Sequence, residues 1–414
     1  MTAASRDPDC LPPRRSFPLA PLFALWRFYR ARFATASRGK GRAHRVFHPL
    51  CGVTPDTLLR LLLRGGISLR RAHVLVVIVL MLVVRLPFTV GEAVFTTFLV
   101  RRRGYGPAPV FVIGHWRSGT THLSNVLSRS PALGILPPIA VGLPAEALSF
   151  AQLVRPLIEA FYPPTRLIDD IPLRSDLPQE DELAMANLCE LSCNHGLYFP
   201  SRLRAEFERG VFGIGVSAAE RRRWGRRLRR YVARMSFLSG GRPLLIRNPA
   251  NSARIPELLA LWPDARFIHI HRDPVAVCAS TIAMTETLVR ELSLGDTACD
   301  AATLVRNVHP RLMARLLADT ATLPPGQLVE VAYDDFVADP MAELDRIHRI
   351  LAIPGFAAAA PDFRRYLSAT ANYRPRPVRT DWIDAAWLAA AAPAFGRWGY
   401  ALPSAAPSAV LAAE

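Results

Sequence analysis

The stretch that decides the fold is PVFVIGHWRSGTTHLSNVLSRS, residues 109–130. It begins with a short apolar run rich in β-branched residues, continues as a loop bounded by Gly114 and Gly119, and ends in a helical pattern. A buried strand, a glycine-containing turn and a helix N-terminus together form a cradle for an anion. Thr120 stands where a nucleotide loop of the G-x-x-x-x-G-K type has the lysine that reaches a γ-phosphate. The stretch therefore predicts an anion site that differs from an ATP site.

The rest of the chain extends this unit into an α/β fold with a P-loop-like parallel sheet flanked by helices. Strand-like runs, each short and apolar, lie at 109–113, 243–247, 265–270 and 328–333. Helical patterns separate them at 120–129, 181–192, 218–237, 253–261, 274–290 and 301–318. We expect this domain to cover 108–402, after a basic, helical and partly apolar extension at 1–107 and before a disordered tail at 403–414.

The positive charge of the chain is concentrated near its N-terminus. The formal net charge is +17, yet residues 1–107 hold 18 Lys and Arg against 4 Asp and Glu, so the remainder is nearly balanced. A body that binds nucleic acid would carry a basic stripe, which argues against a nucleic-acid partner. The six cysteines form no disulfide framework, which fits the cytoplasm. Cys189, Cys193 and His195 lack a second ligand pair at zinc spacing, so we expect no metal.

The apolar run VLVVIVLMLVV at 74–84 raises the question of a membrane. A spanning helix needs about 20 residues, and the run reaches that length only by continuing to Val100 across Arg85, Pro87 and Glu92. Arginines flank it on both sides. Three interpretations stay open for 74–100: a buried helix packed on the body, an interfacial anchor held to anionic lipid by the arginines, and a span. The second would bring a cytoplasmic protein to the inner face of the membrane through its N-terminal region.

A second candidate site lies in FIHIHRDPVAVCAST, residues 267–281. An apolar strand ends near Arg272, Asp273 and Pro274 turn the chain, and a helix follows. Ser280 is eight positions beyond Arg272, so a helix there can bring its hydroxyl back toward the arginine. An arginine and a hydroxyl converging at the end of a parallel strand predict a second phosphate clamp.

The two motifs resemble those of sulfotransferases that use 3′-phosphoadenosine-5′-phosphosulfate (PAPS). RSGTT (117–121) precedes HRDPVAVCAS (271–280) by about 150 residues, in the order of that family, and the likeness is greatest to the bacterial branch related to the tyrosylprotein-type enzymes. PQEDELAM (178–185), VAYDDFVADP (331–340) and FGRWGY (395–400) agree with it. The resemblance covers roughly 108–402 and implies the sulfotransferase fold.

The resemblance also implies an activity: in-line transfer of the sulfonate group from PAPS to a hydroxyl of a small or lipidic acceptor, without metal. Arg117 stands where many members have a catalytic lysine and is expected to stabilise the charge that grows on the bridging oxygen. Arg247 is expected to hold the sulfonate oxygens opposite Arg117. The residues implied to bind the 5′-phosphosulfate are Arg117, Ser118, Gly119, Thr120 and Thr121, and those implied to bind the 3′-phosphate are Arg272 and Ser280.

The general base departs from the family pattern. Asn251 stands near the position where many relatives have a histidine, and an amide is not a general base. The acidic run at 179–182 offers carboxylates instead, and we place Glu182 ahead of Glu180; the alternative is that these acids only complement the helix dipole. In the tail, Tyr373, Arg374 and Arg376 stand where family members often close over the nucleotide.

Two other functions remain as alternatives. A P-loop kinase-like phosphotransferase would use the same loop, but it lacks the lysine at position 120. If the protein is a non-catalytic, membrane-associated relative, the missing histidine is explained. The intact anion loop, however, argues against this alternative.

Overall fold

The computed structural model describes residues 48–64, 67–160, 165–169, 171, 173–370 and 380–403. Its centre is a parallel sheet with the strand order β2-β1-β3-β4. The strands are β1 (Val110–Ile113), β2 (Leu245–Arg247), β3 (Arg266–His271) and β4 (Leu328–Ala332). In register, Val112 lies beside Arg247 on one side and Ile268 on the other. The predicted α/β fold with a parallel sheet is confirmed, and each strand begins and ends within two residues of its predicted bounds.

Helices surround this sheet on all sides. In chain order they are α1 (Pro55–Leu63), α2 (Ala72–Arg103), α3 (Thr120–Leu127), α4 (Pro138–Gly142), α5 (Phe150–Ala160), α6 (Asp181–Leu188), α7 (Asn194–Tyr198), α8 (Leu203–Phe212), α9 (Ala218–Leu238), α10 (Ile255–Leu261), α11 (Pro274–Leu292), α12 (Ala301–Thr320), α13 (Tyr333–Ala338), α14 (Pro340–Ile350), α15 (Phe356–Thr370) and α16 (Ala385–Trp398). Short 3-10 helices lie at Pro49–Gly52, Leu69–Arg71, Pro144–Glu146, Pro200–Arg202 and Pro249–Ala253.

The two faces of the sheet pack into two separate apolar cores. On β1, Phe111 and Ile113 join one core, whereas Val110 and Val112 join the other. Successive side chains of a strand point to opposite faces, so a strand covered on both faces is apolar at every position. All four residues of β1 are buried accordingly. This burial fixes the carboxyl ends of the strands at one edge, where the two sequence motifs begin.

The apolar segment after residue 72 forms one long helix, α2, which continues through Pro87. The helix is long and apolar enough to cross a membrane, yet it packs one side on the body. Arg85 points into the protein and pairs with Glu146 at 2.6 Å, while its other nitrogen donates to the carbonyl oxygen of Val53. Helix α2 therefore lies against the α/β body with one side, and its other side is exposed.

Several predictions fall outside the described residues. These are the first part of the extension, 1–47, almost all of the tail, 404–414, and the nucleotide-covering residues Tyr373, Arg374 and Arg376. The division of the chain at 107 and 403 stays a prediction.

Candidate functional site

The loop between β1 and α3 has a backbone conformation that requires its two glycines. Gly114 has φ 140° and Gly119 has φ 106°, conformations that L side chains rarely adopt. A Cβ on Gly114 would lie 2.4 Å from the carbonyl oxygen of Ile270, and one on Gly119 would lie 2.4 Å from the ring of Tyr333. Arg117 is also left-handed, with φ 71°. The loop therefore lies tightly against β3 and α13, and it carries an arginine in an unusual backbone conformation.

Neighbouring loops hold this backbone by hydrogen bonds. The hydroxyl of Ser252, after β2, accepts from Gly114 N–H at 2.8 Å and donates to Gly114 O at 3.0 Å. Thr281 on α11 donates to the carbonyl oxygen of Trp116 at 3.0 Å. Ser118 is buried, and its hydroxyl has no partner among the described residues. Backbone amides and hydroxyls at a helix N-terminus suit an anion that the loop would enclose.

Arg117 links the loop to the second motif. Its Nε donates to the Ser280 hydroxyl at 3.0 Å, and its Nη1 donates to the Asp169 carboxylate at 2.8 Å. The spacing argument placed Ser280 on the helix after β3, and the structure places it there, within hydrogen-bonding distance of Arg117. The two motifs thus meet at one edge of the sheet.

Arg272 lies on the other side of the same loop. Its guanidinium stacks on the ring of Tyr333 at 4.4 Å, and this ring occupies the space beside Gly119. Arg272 and Ser118 also line one small cavity. Asp273 caps α11 by accepting from the amides of Val275 and Ala276, which fixes the turn after β3. Arg272 and Ser280 thus each contact the region of the glycine loop, Ser280 through Arg117 and Arg272 beside Ser118, while the predicted convergence of Ser280 on Arg272 stays a prediction.

An apolar cavity of about 210 Å³ adjoins the loop. Its wall is formed by side chains of the loop, α6, α7, α8, α11 and α12. Apolar side chains in this wall include Trp116, Leu183, Leu197, Phe207, Leu288 and Val308. The charged groups in it are Glu180, Arg247 and Arg166. A cavity with an apolar wall and a few charged groups suits an apolar ligand with one reactive polar group.

Arg247 brings a cation to this cavity. It ends β2, is 1% exposed, and reaches the Glu180 carboxylate at 3.7 Å. Its Nε and Nη1 have no partner among the described residues. Burial lowers the pKa of Arg247 to about 10, against the opposite effect of Glu180, so the side chain remains charged at neutral pH. A buried arginine with free donors beside a cavity is suited to hold an anionic group there.

The placement of Glu182 opposes its predicted role as the base. Its carboxylate is buried, pairs with Arg254 at 2.8 Å, and accepts from Asn248, Ser192 and the Cys193 amide. Burial alone would raise the pKa of Glu182, but Arg254 and the hydrogen bonds lower it to about 2. The residue does not line the described cavity. Its carboxylate is saturated with structural partners, which argues against the expected order of the two acids.

Glu180 is the carboxylate that reaches the cavity. It directly precedes α6 and is only partly buried. Its backbone forms an isolated parallel β-bridge with that of Arg247. The two acids differ because Glu182 lies inside the first turn of α6 and faces Arg254, whereas Glu180 lies before the helix.

Sequence reasoning missed three polar residues at the site. Asp169 pairs with Arg117 and Arg166, and Arg166 also donates to the Thr121 hydroxyl at 3.3 Å. His115, inside the loop, lines the cavity, and burial lowers its pKa to about 4, so it is neutral at pH 7. Nothing in the spacing of Asp169 or Arg166 signals their position, because the segment that carries them has no regular pattern. His115 stood within the quoted loop and could have been considered.

Metal ligation finds no support in the part of the chain that the structure describes. No group of three His, Cys, Asp or Glu residues there is arranged to hold an ion. His195 bonds to the carbonyl oxygen of Ala186, and Cys193 contacts Glu182.

Comparisons with known proteins agree with this geometry. The sequence profile of the sulfotransferase family matches residues 109–357. The omega-hydroxy-beta-dihydromenaquinone-9 sulfotransferases Stf3 of Mycobacterium bovis and Mycobacterium tuberculosis are each 30% identical over 270 residues, which cover 64% of this chain and 68% of theirs. The crystal structure of sulfotransferase STF9 from Mycobacterium avium superimposes with a TM-score of 0.59 at 19% identity, covering 74% of this chain and 82% of that one.

The profile match spans more than half of the chain and contains both anion motifs and the four strands. The likeness to STF9 establishes the fold. The resemblance drawn from RSGTT and HRDPVAVCAS is therefore confirmed: the chain belongs to the sulfotransferase family and is a sulfotransferase enzyme.

Proposed function

We propose that this enzyme transfers the sulfonate group of PAPS to the hydroxyl of an apolar, lipid-like acceptor by in-line displacement without metal. The observation that carries the proposal is the contact between Arg117 and Ser280, whose chain neighbours Trp116 and Thr281 line an apolar cavity. It joins the loop suited to a phosphosulfate with the motif suited to a 3′-phosphate, beside a space suited to an acceptor.

The donor would be held at both of its charged ends. The loop residues Ser118, Gly119, Thr120 and Thr121 would bind the 5′-phosphosulfate, with the positive end of α3 behind them. Arg272 and Ser280 would bind the 3′-phosphate. In the structure Ser280 accepts from Arg117, so Arg117 would be the residue that touches both groups.

The transfer itself needs three things of the protein. The acceptor oxygen forms a bond to sulfur while the bond from sulfur to the bridging oxygen breaks, and adenosine 3′,5′-bisphosphate leaves with the bonding electrons. Arg117 would stabilise the charge on that leaving oxygen, acting through its field and hydrogen bonds because arginine does not readily give up a proton. Arg247 would hold the sulfonate oxygens, and Glu180 would accept the acceptor's proton.

The cavity wall supports an apolar acceptor. Its apolar side chains would gain from covering a hydrocarbon. The Stf3 relatives carry the name of an omega-hydroxy-beta-dihydromenaquinone-9 sulfotransferase, an acceptor class with a terminal hydroxyl on an apolar chain. A lipid of this chemistry is presented by a membrane, so we infer that the enzyme works in the cytoplasm at the inner face of the membrane.

Thermal unfolding with three nucleotides tests the donor. Adenosine 3′,5′-bisphosphate should raise the melting temperature more than AMP or ATP with Mg²⁺, because only the bisphosphate occupies both clamps. At one hundred times its Kd, a ligand adds about 2.7 kcal/mol to the free energy of unfolding, which is easily measured. A larger effect of ATP with Mg²⁺ would support the kinase alternative, and indifference to all three would support a non-catalytic relative.

A further inference from the structure

The helix α2 (Ala72–Arg103) buries polar residues against the protein and exposes apolar residues on its other side. The side that packs on the protein includes Arg85, Glu92 and Thr96, all buried. Arg85 pairs with Glu146, and Glu92 accepts from the amides at 148 and 149. A helix between a protein core and water normally buries apolar residues and exposes polar ones. Here the buried side includes these polar residues beside Val74, Ile78 and Leu99, while the exposed side carries large apolar residues.

The outward side is large and apolar. Val83 is 60% exposed and Val90 57% exposed. Its other exposed members include Leu80, Leu86, Val94 and Phe98. From Val76 to Phe98 this surface is about 33 Å long at the rise of an α-helix. Helix α5 widens it, since Phe150 packs on Phe88 while Leu153 is 68% exposed.

Both ends of this apolar surface carry cations. Arg70 precedes the helix, and Arg101, Arg102 and Arg103 end it, all of them exposed. Helix α9, rich in arginine, packs beside the C-terminal half, where Arg230 donates to the carbonyl oxygen of Ala93. The one acid of α2, Glu92, is buried. A surface that is apolar in the middle and basic at its ends complements an anionic lipid bilayer, whereas a second copy would bring arginines against a surface without exposed acids.

The helix lies along the body and does not stand away from it. Val74 and Ile78 join the main core near its beginning, and Phe95 packs on Phe237 near its end. Lipid therefore cannot surround the helix, and only its outward side can enter a bilayer. This geometry corresponds to a helix that lies in the plane of the interface.

We propose that the outward side of α2, with α5, docks the enzyme in the plane of an anionic phospholipid bilayer. The segment before α2 is linked through Leu294 to a residue of the apolar cavity: Ser68 N–H donates to the carbonyl oxygen of Leu294, whose own amide donates to the carbonyl oxygen of Tyr198. The inference extends the membrane location proposed above, but it rests on surface residues that sulfonate transfer does not use.

Flotation of the full chain with vesicles tests the docking surface. The wild type should float with vesicles of phosphatidylcholine mixed with phosphatidylglycerol and much less with phosphatidylcholine alone. The double variant Val83→Glu, Val90→Glu should lower the partition coefficient by about tenfold or more. The matched control Val337→Glu, at a 53% exposed valine of α13, should bind as the wild type does. Replacing Arg101, Arg102 and Arg103 by Gln should weaken binding by about 100-fold and reduce its sensitivity to salt.

The inference is wrong if the wild type fails to float with anionic vesicles, or if the double variant floats as well as Val337→Glu does. It is also wrong if the wild type sediments as a dimer and the double variant as a monomer that binds vesicles equally well. The melting temperature of each variant reports whether it folds. The bisphosphate preference of the same variants is measured separately, so a failure of docking is distinguishable from a failure of the proposed function.

Discussion

Glu180 and Glu182 stand two positions apart, yet they face different parts of the molecule. The sequence located the acidic run at the start of a helix, and α6 begins there. It could not rank the two acids, because their surroundings come from residues about 70 positions away: Arg247 for Glu180 and Arg254 for Glu182. Arg117, Arg247, Arg272 and Ser280 could be proposed as site residues because their segments are local in sequence, and they stay proposals. The partners that surround them, such as Asp169, could not be proposed in this way.

The two acids should respond differently to the same substitution. Glu182→Gln leaves Arg254 buried without a full countercharge, so we expect the free energy of unfolding to fall by about 3–5 kcal/mol. Glu180→Gln should keep the melting temperature and the affinity for adenosine 3′,5′-bisphosphate, while kcat falls by about 100-fold or more. Thermal unfolding and steady-state kinetics on both variants check this. Loss of turnover at an unchanged melting temperature in Glu182→Gln, with Glu180→Gln active, would restore the order expected from the sequence.

At the scale of elements, hydropathy patterns located the strands well and the helix faces poorly. The predicted helix 181–192 ends at Leu188, because Cys189 is extended and the following residues wrap around the Glu182 carboxylate. For α2, the pattern gave the apolar length but not the side that faces the protein. That side is set by the ion pair of Arg85 with Glu146, a tertiary contact. The sequence therefore left three interpretations open, and the interfacial one is a proposal that rests on the exposed side of α2.

The glycine loop makes a prediction at this scale. Gly119→Ala should abolish bisphosphate binding, because the residue has φ 106° and its Cβ would overlap the Tyr333 ring. Gly396→Ala is the matched control: it lies in α16 with nothing within 4 Å of the added carbon, and it should stabilise the protein by about 0.5–1 kcal/mol. Calorimetric titration and thermal unfolding of both variants check this. Unchanged nucleotide affinity in Gly119→Ala would mean that the loop does not hold the donor.

At the scale of the whole molecule, the active site depends on bringing two distant motifs together. β1 and β3 are neighbours in the sheet, so the loop after one and the turn after the other lie at the same edge. The strand order could be anticipated only through the family resemblance, since no local pattern specifies which strands pair. No local pattern specifies the wall of the apolar cavity either, because that wall combines the loop with five helices.

The central claim is that one nucleotide is held at both ends, by the loop and by Arg272 with Ser280. The most direct test is to measure, by calorimetry, the Kd values for adenosine 3′,5′-bisphosphate and for AMP. Three proteins are compared: the wild type, Arg272→Ala and the control Arg290→Ala on α11. The wild type and the control should prefer the bisphosphate, and Arg272→Ala should lose about 10- to 100-fold of that preference while its affinity for AMP stays the same. An Arg272→Ala variant that keeps the full preference, or a wild type that has none, would contradict the account.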